Sequence, residues 1–441
     1  MYWCELAWLG GGAAAEGVVI EIEDERIAAV EAGVAAPPPG ATRLDGITIP
    51  GLANAHSHAF QRALRGRTHS ARGDFWTWRE AMYALASRLD PDLYLALARA
   101  TFGEMALAGI TCVGEFHYLH HGPEGVPYAD PNEMGEAMLQ AARDAGIRIT
   151  LLDACYLHGG VGEEPSDVQR RFSDGDADGW LGRAAELAEG PGARIGAAIH
   201  SVRAVDPESA TVVAAWATER GLPLHAHVSE QPAENSASLE AYGSTPTAVL
   251  AGADAVSERF VAVHGTHLDD CDFGILGDAG SACCLCPTTE RDLADGIAPA
   301  GRLRDSGIGL ALGSDSHAVI DLFEEARAVE LDERLESGER GRSPVAQLLR
   351  PATDGGHACL GWPDAGRLAP GATADLVTVG LDSPRLAGTD AASAVSSVVF
   401  AATAADVRGV VVGGRPIVRD GEHVGLDVAA ELDAAVQAVW A

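Results

Sequence analysis

Residues 47–58 read ITIPGLANAHSH, an apolar run that ends in two histidines spaced two apart. On a strand, side chains at i and i+2 leave the same face, so His56 and His58 can reach one ion. A lone H-x-H pair also occurs in ordinary cores and turns, and by itself decides little. What decides the fold is the recurrence of such runs: GITCVGEFHY (109–118), RITLLDACYL (148–157), RIGAAIHSV (194–202), LPLHAHVSE (222–230), FVAVHGTH (260–267), SACCLCPTT (281–289) and GIGLALGSDS (307–316). With the first run they make eight candidate strands, mostly separated by Ala-, Leu- and Glu-rich stretches of helical periodicity. Eight such alternations predict an α/β fold, a (β/α)8 TIM-type barrel, in which strand C-termini converge on one mouth. His227 and Asp315 fall at the ends of two of these runs. With His56 and His58 they form a candidate metal centre gathered from distant parts of one barrel.

The flanks read differently. GVVIEIEDERIAAVE (17–31), GATADLVTVGL (371–381) and VRGVVVGGRPIVRDGEH (407–423) are short β-like pieces, and together they predict a small β-sandwich domain built from both chain ends. The expected division is 1–48 for its N-terminal part, 49–365 for the barrel, and 366–441 for its C-terminal part plus a terminal amphipathic helix at 427–441. Residues 162–179, GEEPSDVQRRFSDGDADG, read as a mobile loop.

Composition narrows the function classes. The chain has 441 residues, enough for a large barrel and one satellite domain. Its formal charge of −33 makes nucleic acid an unfavourable partner. No stretch is apolar and long enough to cross a bilayer, and no basic region precedes an apolar run at the start. Eight cysteines in so large a chain do not form a compact disulfide signature, so reduced thiols in the cytoplasm are expected. Cys283, Cys284 and Cys286 read as small hydrophobes of a buried strand rather than a second metal site. His117, His120 and His121 crowd near Tyr118, and loop hydrogen bonding accounts for most of such a cluster.

HSHAFQRA (56–63), FWTWRE (75–80), EFHYLHH (115–121), IHSVRAV (199–205), HVSEQ (227–231), VHGTH (263–267), CPTTE (286–290) and GSDSH (313–317) occur in an order that resembles the amidohydrolase superfamily. Within it, HSHAFQRA, FWTWRE and HVSEQ are most similar to the formimidoylglutamate deiminases, and the resemblance covers nearly the whole chain. It implies hydrolysis of N-formimino-L-glutamate to N-formyl-L-glutamate and ammonia, a step of histidine degradation. Binuclear members of the superfamily bridge two metals with a carbamylated lysine. All 31 residues counted as Lys+Arg here are arginine, so one ion per subunit is expected, on His56, His58, His227 and Asp315. Three neutral imidazoles and a carboxylate suit Zn2+, and Fe2+ or Mn2+ also accept such ligands.

The resemblance further assigns Glu230 to proton shuttling and His264 to orienting or polarising the substrate; Asp315 adds proton acceptance to metal binding. Arg79 and Arg203 match positions that hold the two carboxylates of a small dicarboxylate substrate, where planar guanidinium groups give bidentate geometry. Gln61, Tyr118 and His200 match positions near the substrate. A homodimer is implied, in which Arg79 serves its own or a neighbouring subunit. The same metal chemistry would also deaminate a purine, pyrimidine or triazine ring, which is the competing reading; a non-catalytic barrel scaffold is the third.

Overall fold

The computed structural model describes residues 1–69 and 73–441. Eight parallel strands follow one another in a sheet whose order is the chain order: Leu52–Ser57, Ile110–His117, Arg148–Cys155, Ala193–Ile199, Leu224–Val228, Phe260–His264, Ala282–Leu285 and Gly309–Leu312. Five of them are buried at every residue, because helices cover the outer face and side chains fill the inner one. This is why they read as unbroken apolar runs rather than as alternating ones.

The sheet closes between its first and eighth strands. Ser57 and Asp315 form a parallel bridge, the His58 N–H donates to the Asp315 carbonyl at 3.1 Å, and the Asp315 N–H donates to the His56 carbonyl at 3.0 Å. The Asn54 side chain completes the seam, donating to Ser314 Oγ at 2.7 Å and accepting the Ser314 N–H at 2.9 Å. The barrel's closure and the register of three candidate metal ligands are therefore one set of bonds.

The run 47–58 is two strands, not the single one expected. Thr42–Pro50 pairs with Tyr2–Ala7 and Leu376–Val379 in a second sheet, and the barrel strand begins at Leu52. Gly51 makes the crossing: a Cβ there would stand 2.3 Å from Thr111 Oγ1 and 2.7 Å from Asp375 Cβ, so only glycine passes.

The second sheet is mixed and takes strands from both chain ends, in the order Glu422–His423, Arg415–Arg419, Val407–Val412, Leu376–Val379, Thr42–Pro50, Tyr2–Ala7, Ala15–Glu23, Arg26–Glu31. It folds over on itself, with Arg26 bridged to Thr373 and the Ile27 N–H on the Ala372 carbonyl at 2.9 Å. Tyr2, Cys4, Val18, Ile20, Leu376 and Val411 form the small core inside. The final helix, Val428–Trp440, buries Val428, Ala435 and Val439 against the barrel helix Pro91–Leu107. Glu431 accepts Arg99 Nε–H at 2.8 Å, and Trp440 Nε1–H donates to the Ala63 carbonyl at 3.1 Å.

Within residues 162–179, read as a mobile loop, Glu163, Glu164, Asp167 and Arg170 are exposed, while Arg171 and Asp174 are held by hydrogen bonds. Arg171, 2% exposed, donates to the carbonyls of Ala86, Leu89 and His121. Asp174 accepts from Arg183 and His121, each at 2.9 Å. Among the described residues no helix is long and apolar enough to cross a membrane.

Candidate active site

His56, His58, His227 and Asp315 converge at the mouth, their ligand atoms all within 4.8 Å of one another. His56 Nε2 lies 3.2 Å and His58 Nε2 3.3 Å from Asp315 Oδ1, and His227 Nε2 lies 3.1 Å from His56 Nε2. Two rings are held from behind: His58 Nδ1–H donates to the Phe116 carbonyl at 2.9 Å, and His227 Nδ1–H to the His200 carbonyl at 2.8 Å. Those bonds leave the Nε2 lone pairs pointing at the common centre. Burial pushes the His56 imidazole down to about 3 and lowers His58 and His227 as well, so all three rings are neutral. Three neutral imidazole nitrogens and one carboxylate facing each other form a donor set that fits a divalent cation of the zinc class. The turn that delivers Asp315 is tight. Asp315 itself has φ +40°, and a Cβ on Gly313 would come within 2.7 Å of His56 Cβ.

Above this centre is a cavity of about 340 Å³, lined by His58, His227, Asp315, Glu230 and His264 on the metal side. Its other wall comes largely from the helix Phe75–Ala86. Phe75, Arg79, Met82 and Tyr83 face the cavity at spacings of three, four and seven to eight residues, one helical face. Asp74 and Thr77 start that helix with a capping box, a device worth about 1 kcal/mol. Arg79 stacks on Trp76 at 4.5 Å and Tyr83 at 5.5 Å, and Arg203 lies 5.7 Å from the Phe75 ring. The Nε atoms of both arginines are buried and find no hydrogen-bond partner among the described residues. Gln61 donates to Tyr118 Oη at 3.1 Å while its own Oε1 is unpartnered. His200 packs on Tyr156 with ring centroids 4.4 Å apart; burial, aided by the Arg203 charge, holds it well below the usual imidazole range.

His264 is the one imidazole here that is pushed the other way. Burial lowers its pKa, but Glu230 Oε1 at 3.6 Å from Nε2 and Glu290 Oε1 at 3.5 Å from Nδ1 outweigh it, and the net shift is well upward. Glu230 is raised by burial, with His264 and Arg203 opposing; Arg203 Nη2 stands 3.5 Å from its Oε2. Backbone strain marks the same place. His264 has φ +70° and Ser229 φ +52°, conformations rare outside glycine.

A profile of the amidohydrolase family matches residues 47–417. The chain belongs to the amidohydrolase family. It is a hydrolase of C–N bonds. Formimidoylglutamate deiminase of Pseudomonas aeruginosa is 39% identical over 426 residues, spanning 93% of this chain and 91% of that protein. The 5-methylthioadenosine/S-adenosylhomocysteine deaminase of Natronomonas pharaonis is 30% identical over 389 residues, 87% of this chain and 84% of its own. Among solved structures, an amidohydrolase from Brucella melitensis superposes with a TM-score of 0.91 at 32% identity, covering 100% of this chain and 99% of its own. An adenosine deaminase from Xanthomonas campestris with bound zinc, at 24% identity and TM-score 0.85 over 99% of this chain and 97% of its own, shares the fold.

Several residues of this amidohydrolase site escape a sequence reading. Glu115 accepts Ser57 Oγ–H at 2.5 Å and the Ala59 N–H at 2.7 Å, and His317 Nε2 lies 3.1 Å from the same Ser57 Oγ. Glu290, inside the CPTTE motif, backs His264. Glu234 and Asp295 each leave one carboxyl oxygen buried and unpartnered. By contrast His117, His120 and His121 do not line the cavity; they join Asp153, Asp174 and Arg183 in a buried polar network. His117, His120 and Asp153 also lie close enough to hold an ion, but Arg183 already pairs with Asp153 at 2.9 Å, which sets a fixed cation beside that position. Cys283, Cys284 and Cys286 are fully buried in and beside the seventh barrel strand.

Proposed function

We propose that the protein is a zinc-dependent formimidoylglutamate deiminase, cytoplasmic and homodimeric, with one Zn2+ per subunit. It adds water to N-formimino-L-glutamate and releases N-formyl-L-glutamate and ammonia. The observation that carries this reading is the division of charge in the cavity. Arg79 and Arg203 bring guanidinium groups whose Nε–H donors are unsatisfied to one wall, while Glu230 and Asp315 line the metal side. A substrate with an amidinium head and a dicarboxylate tail complements both ends, and a neutral ring would leave the Nε–H donors of Arg79 and Arg203 without an acceptor. The Pseudomonas relative bears the name of that reaction.

His56, His58, His227 and Asp315 would hold a divalent ion, which when bound would supply the Lewis acidity that makes water a nucleophile near neutral pH. The protein moves the protons. Glu230 Oε1 accepts one from the attacking water and returns it to the departing nitrogen, so that the terminal C–N bond breaks and ammonia leaves. His264, held cationic, directs Nε2–H at the reacting carbon's substituents, and Asp315 is a second proton acceptor. Arg79 and Arg203 hold the two carboxylates, with Gln61, Tyr118 and His200 packing around the chain between them.

A ring deaminase is the reading to beat, because Phe75, Trp76, Tyr83, Tyr118, Tyr156 and Phe172 line the cavity with aromatic faces suited to stacking and a relative at 30% identity is a nucleoside deaminase by name. A substrate panel scored by ammonia release separates them. N-formimino-L-glutamate should be turned over well ahead of formiminoglycine, free purines and pyrimidines. Efficient release from a neutral base with none from formiminoglutamate overturns the assignment.

A further inference from the structure

Glu234 sits in the first turn of the helix Pro232–Tyr242, is 1% exposed and lines the cavity. Its two oxygens are in different positions. Oε2 accepts the Glu230 backbone N–H at 3.1 Å, while Oε1 is buried with no hydrogen-bond partner among the described residues. The free oxygen of the carboxylate has room for a proton, and once protonated it is a donor for an incoming acceptor. The groups facing it are Arg203 from the loop after the fourth barrel strand, Glu230 from the loop after the fifth and His264 at the end of the sixth, with Arg79 lining the same cavity from the helix Phe75–Ala86. Glu234 is also the strongest charged influence on Arg203.

We propose that Glu234 is a substrate-recognition residue: as the carboxylic acid it donates from Oε1 to the same substrate carboxylate that Arg203 holds, so that binding takes up a proton. This rests on the dicarboxylate reading above. An ionised Glu234 beside an incoming carboxylate would be a like-charge pair in a dry cavity, and the proton removes that repulsion while creating a short charge-assisted bond. Burial raises the Glu234 pKa, Arg203 opposes it and Glu230 adds to it; a bound carboxylate neutralises Arg203's influence and adds a second anion, both in the direction of protonation. The bookkeeping is one proton from solvent onto Glu234 for each ligand bound, released when the ligand leaves.

The bland alternative is that Glu234 only caps its helix through the Glu230 N–H, and the two differ in what they do to protons. The test is calorimetric titration of the metal-loaded enzyme with N-formyl-L-glutamate, which binds without turning over, in buffers of different ionisation enthalpy at several pH values from about 6 to 9. Wild type should take up close to one proton per site somewhere in that range. Glu234→Gln keeps a donor for the ligand and an acceptor for the Glu230 N–H, so it should bind within about threefold of wild type with that uptake abolished. Glu234→Ala should weaken binding at least tenfold; should it fail to fold, the glutamine variant alone decides. Equal proton uptake in wild type and Glu234→Gln, or none in wild type, overturns the inference. No binding of the dicarboxylate by wild type overturns the parent reading instead.

Discussion

Glu290 stands behind His264, with Oε1 3.5 Å from Nδ1, and the same oxygen accepts the Cys286 N–H at 2.9 Å. The carboxylate is thus fixed by backbone before it meets the ring. Glu290→Gln keeps the shape and an oxygen for Cys286 but removes the charge that helps hold His264 cationic against burial. The expected result is a loss of about 10–100-fold in kcat, the scale usual for partners that orient an active-site group, with KM within about threefold and metal content unchanged. Undiminished kcat in Glu290→Gln would show that Glu230 and Asp315 set the state of His264 without it.

For the metal centre, elemental analysis should find about one divalent ion per chain, with zinc the dominant species. His56→Ala and Asp315→Asn should each lose most of it, because each takes a donor from a set whose members share one centre. Chelation should abolish activity in wild type, and zinc should restore it. Two tightly held ions per chain, both required for turnover, would contradict a single-ion site.

Glu230→Gln separates proton movement from assembly. Amide and carboxyl are nearly isosteric, so fold and metal content should persist while kcat falls by roughly a hundredfold or more, within the range attributed to general acid–base groups. Near-normal turnover at full metal occupancy removes Glu230 from the reaction.

How far the site could be read from sequence follows from where each residue's meaning resides. His56, His58, His227 and Asp315 announce themselves because a barrel puts its chemistry at strand ends, and strands buried on both faces read as uninterrupted apolar runs ending in a polar residue. The start of the first strand was not legible: Pro50-Gly51 lies within one apolar run, and only the close approach of Thr111 and Asp375 explains why the chain changes sheets there. Asn54, Glu115 and His317 were not legible either. Asn54 matters through Ser314, 260 positions away, and Glu115 through Ser57, 58 positions away, so neither carries a local pattern. Glu234 was hidden differently, since a glutamate in a helix's first turn reads as an ordinary cap until the side chain is seen on the cavity wall with one oxygen unpartnered.

The buried Glu115 makes a stability prediction. Burial pushes its carboxyl up to about 8, against Ser57 and Ala59 hydrogen bonds that pull it down. Glu115 Oε2 accepts the Ser57 Oγ–H at 2.5 Å; with Glu115 protonated the bond reverses, and the Ser57 hydroxyl proton turns to His317 Nε2, 3.1 Å away. Since the folded pKa exceeds the unfolded value of about 4.3, the fold binds the proton more tightly. Its contribution is therefore fully present below about pH 4 and is lost as pH rises through about 8, an effect of a few kcal/mol. Glu115→Gln mimics the protonated form and should be more stable than wild type by a margin that grows from pH 5 to pH 9. A Tm difference that stays flat across that range would mean Glu115 is ionised in the fold.

Arg79 carries the most exposed part of the substrate assignment. Its guanidinium lies between Trp76 and Tyr83, so Arg79→Met keeps much of the apolar stem's packing while removing the fork of donors. If it holds a substrate carboxylate, losing it should cost about 2–5 kcal/mol in kcat/KM, with the metal untouched. The decisive comparison is with two monoamides of formiminoglutamate, each replacing one carboxylate. The amide at the position Arg79 holds is already a poor substrate for wild type and should lose little more on mutation, whereas the other amide should suffer the full penalty. That pattern assigns Arg79 to one carboxylate and leaves the other to Arg203. Equal losses for the acid and both amides would mean that Arg79 supports the helix Phe75–Ala86 and does not touch the substrate.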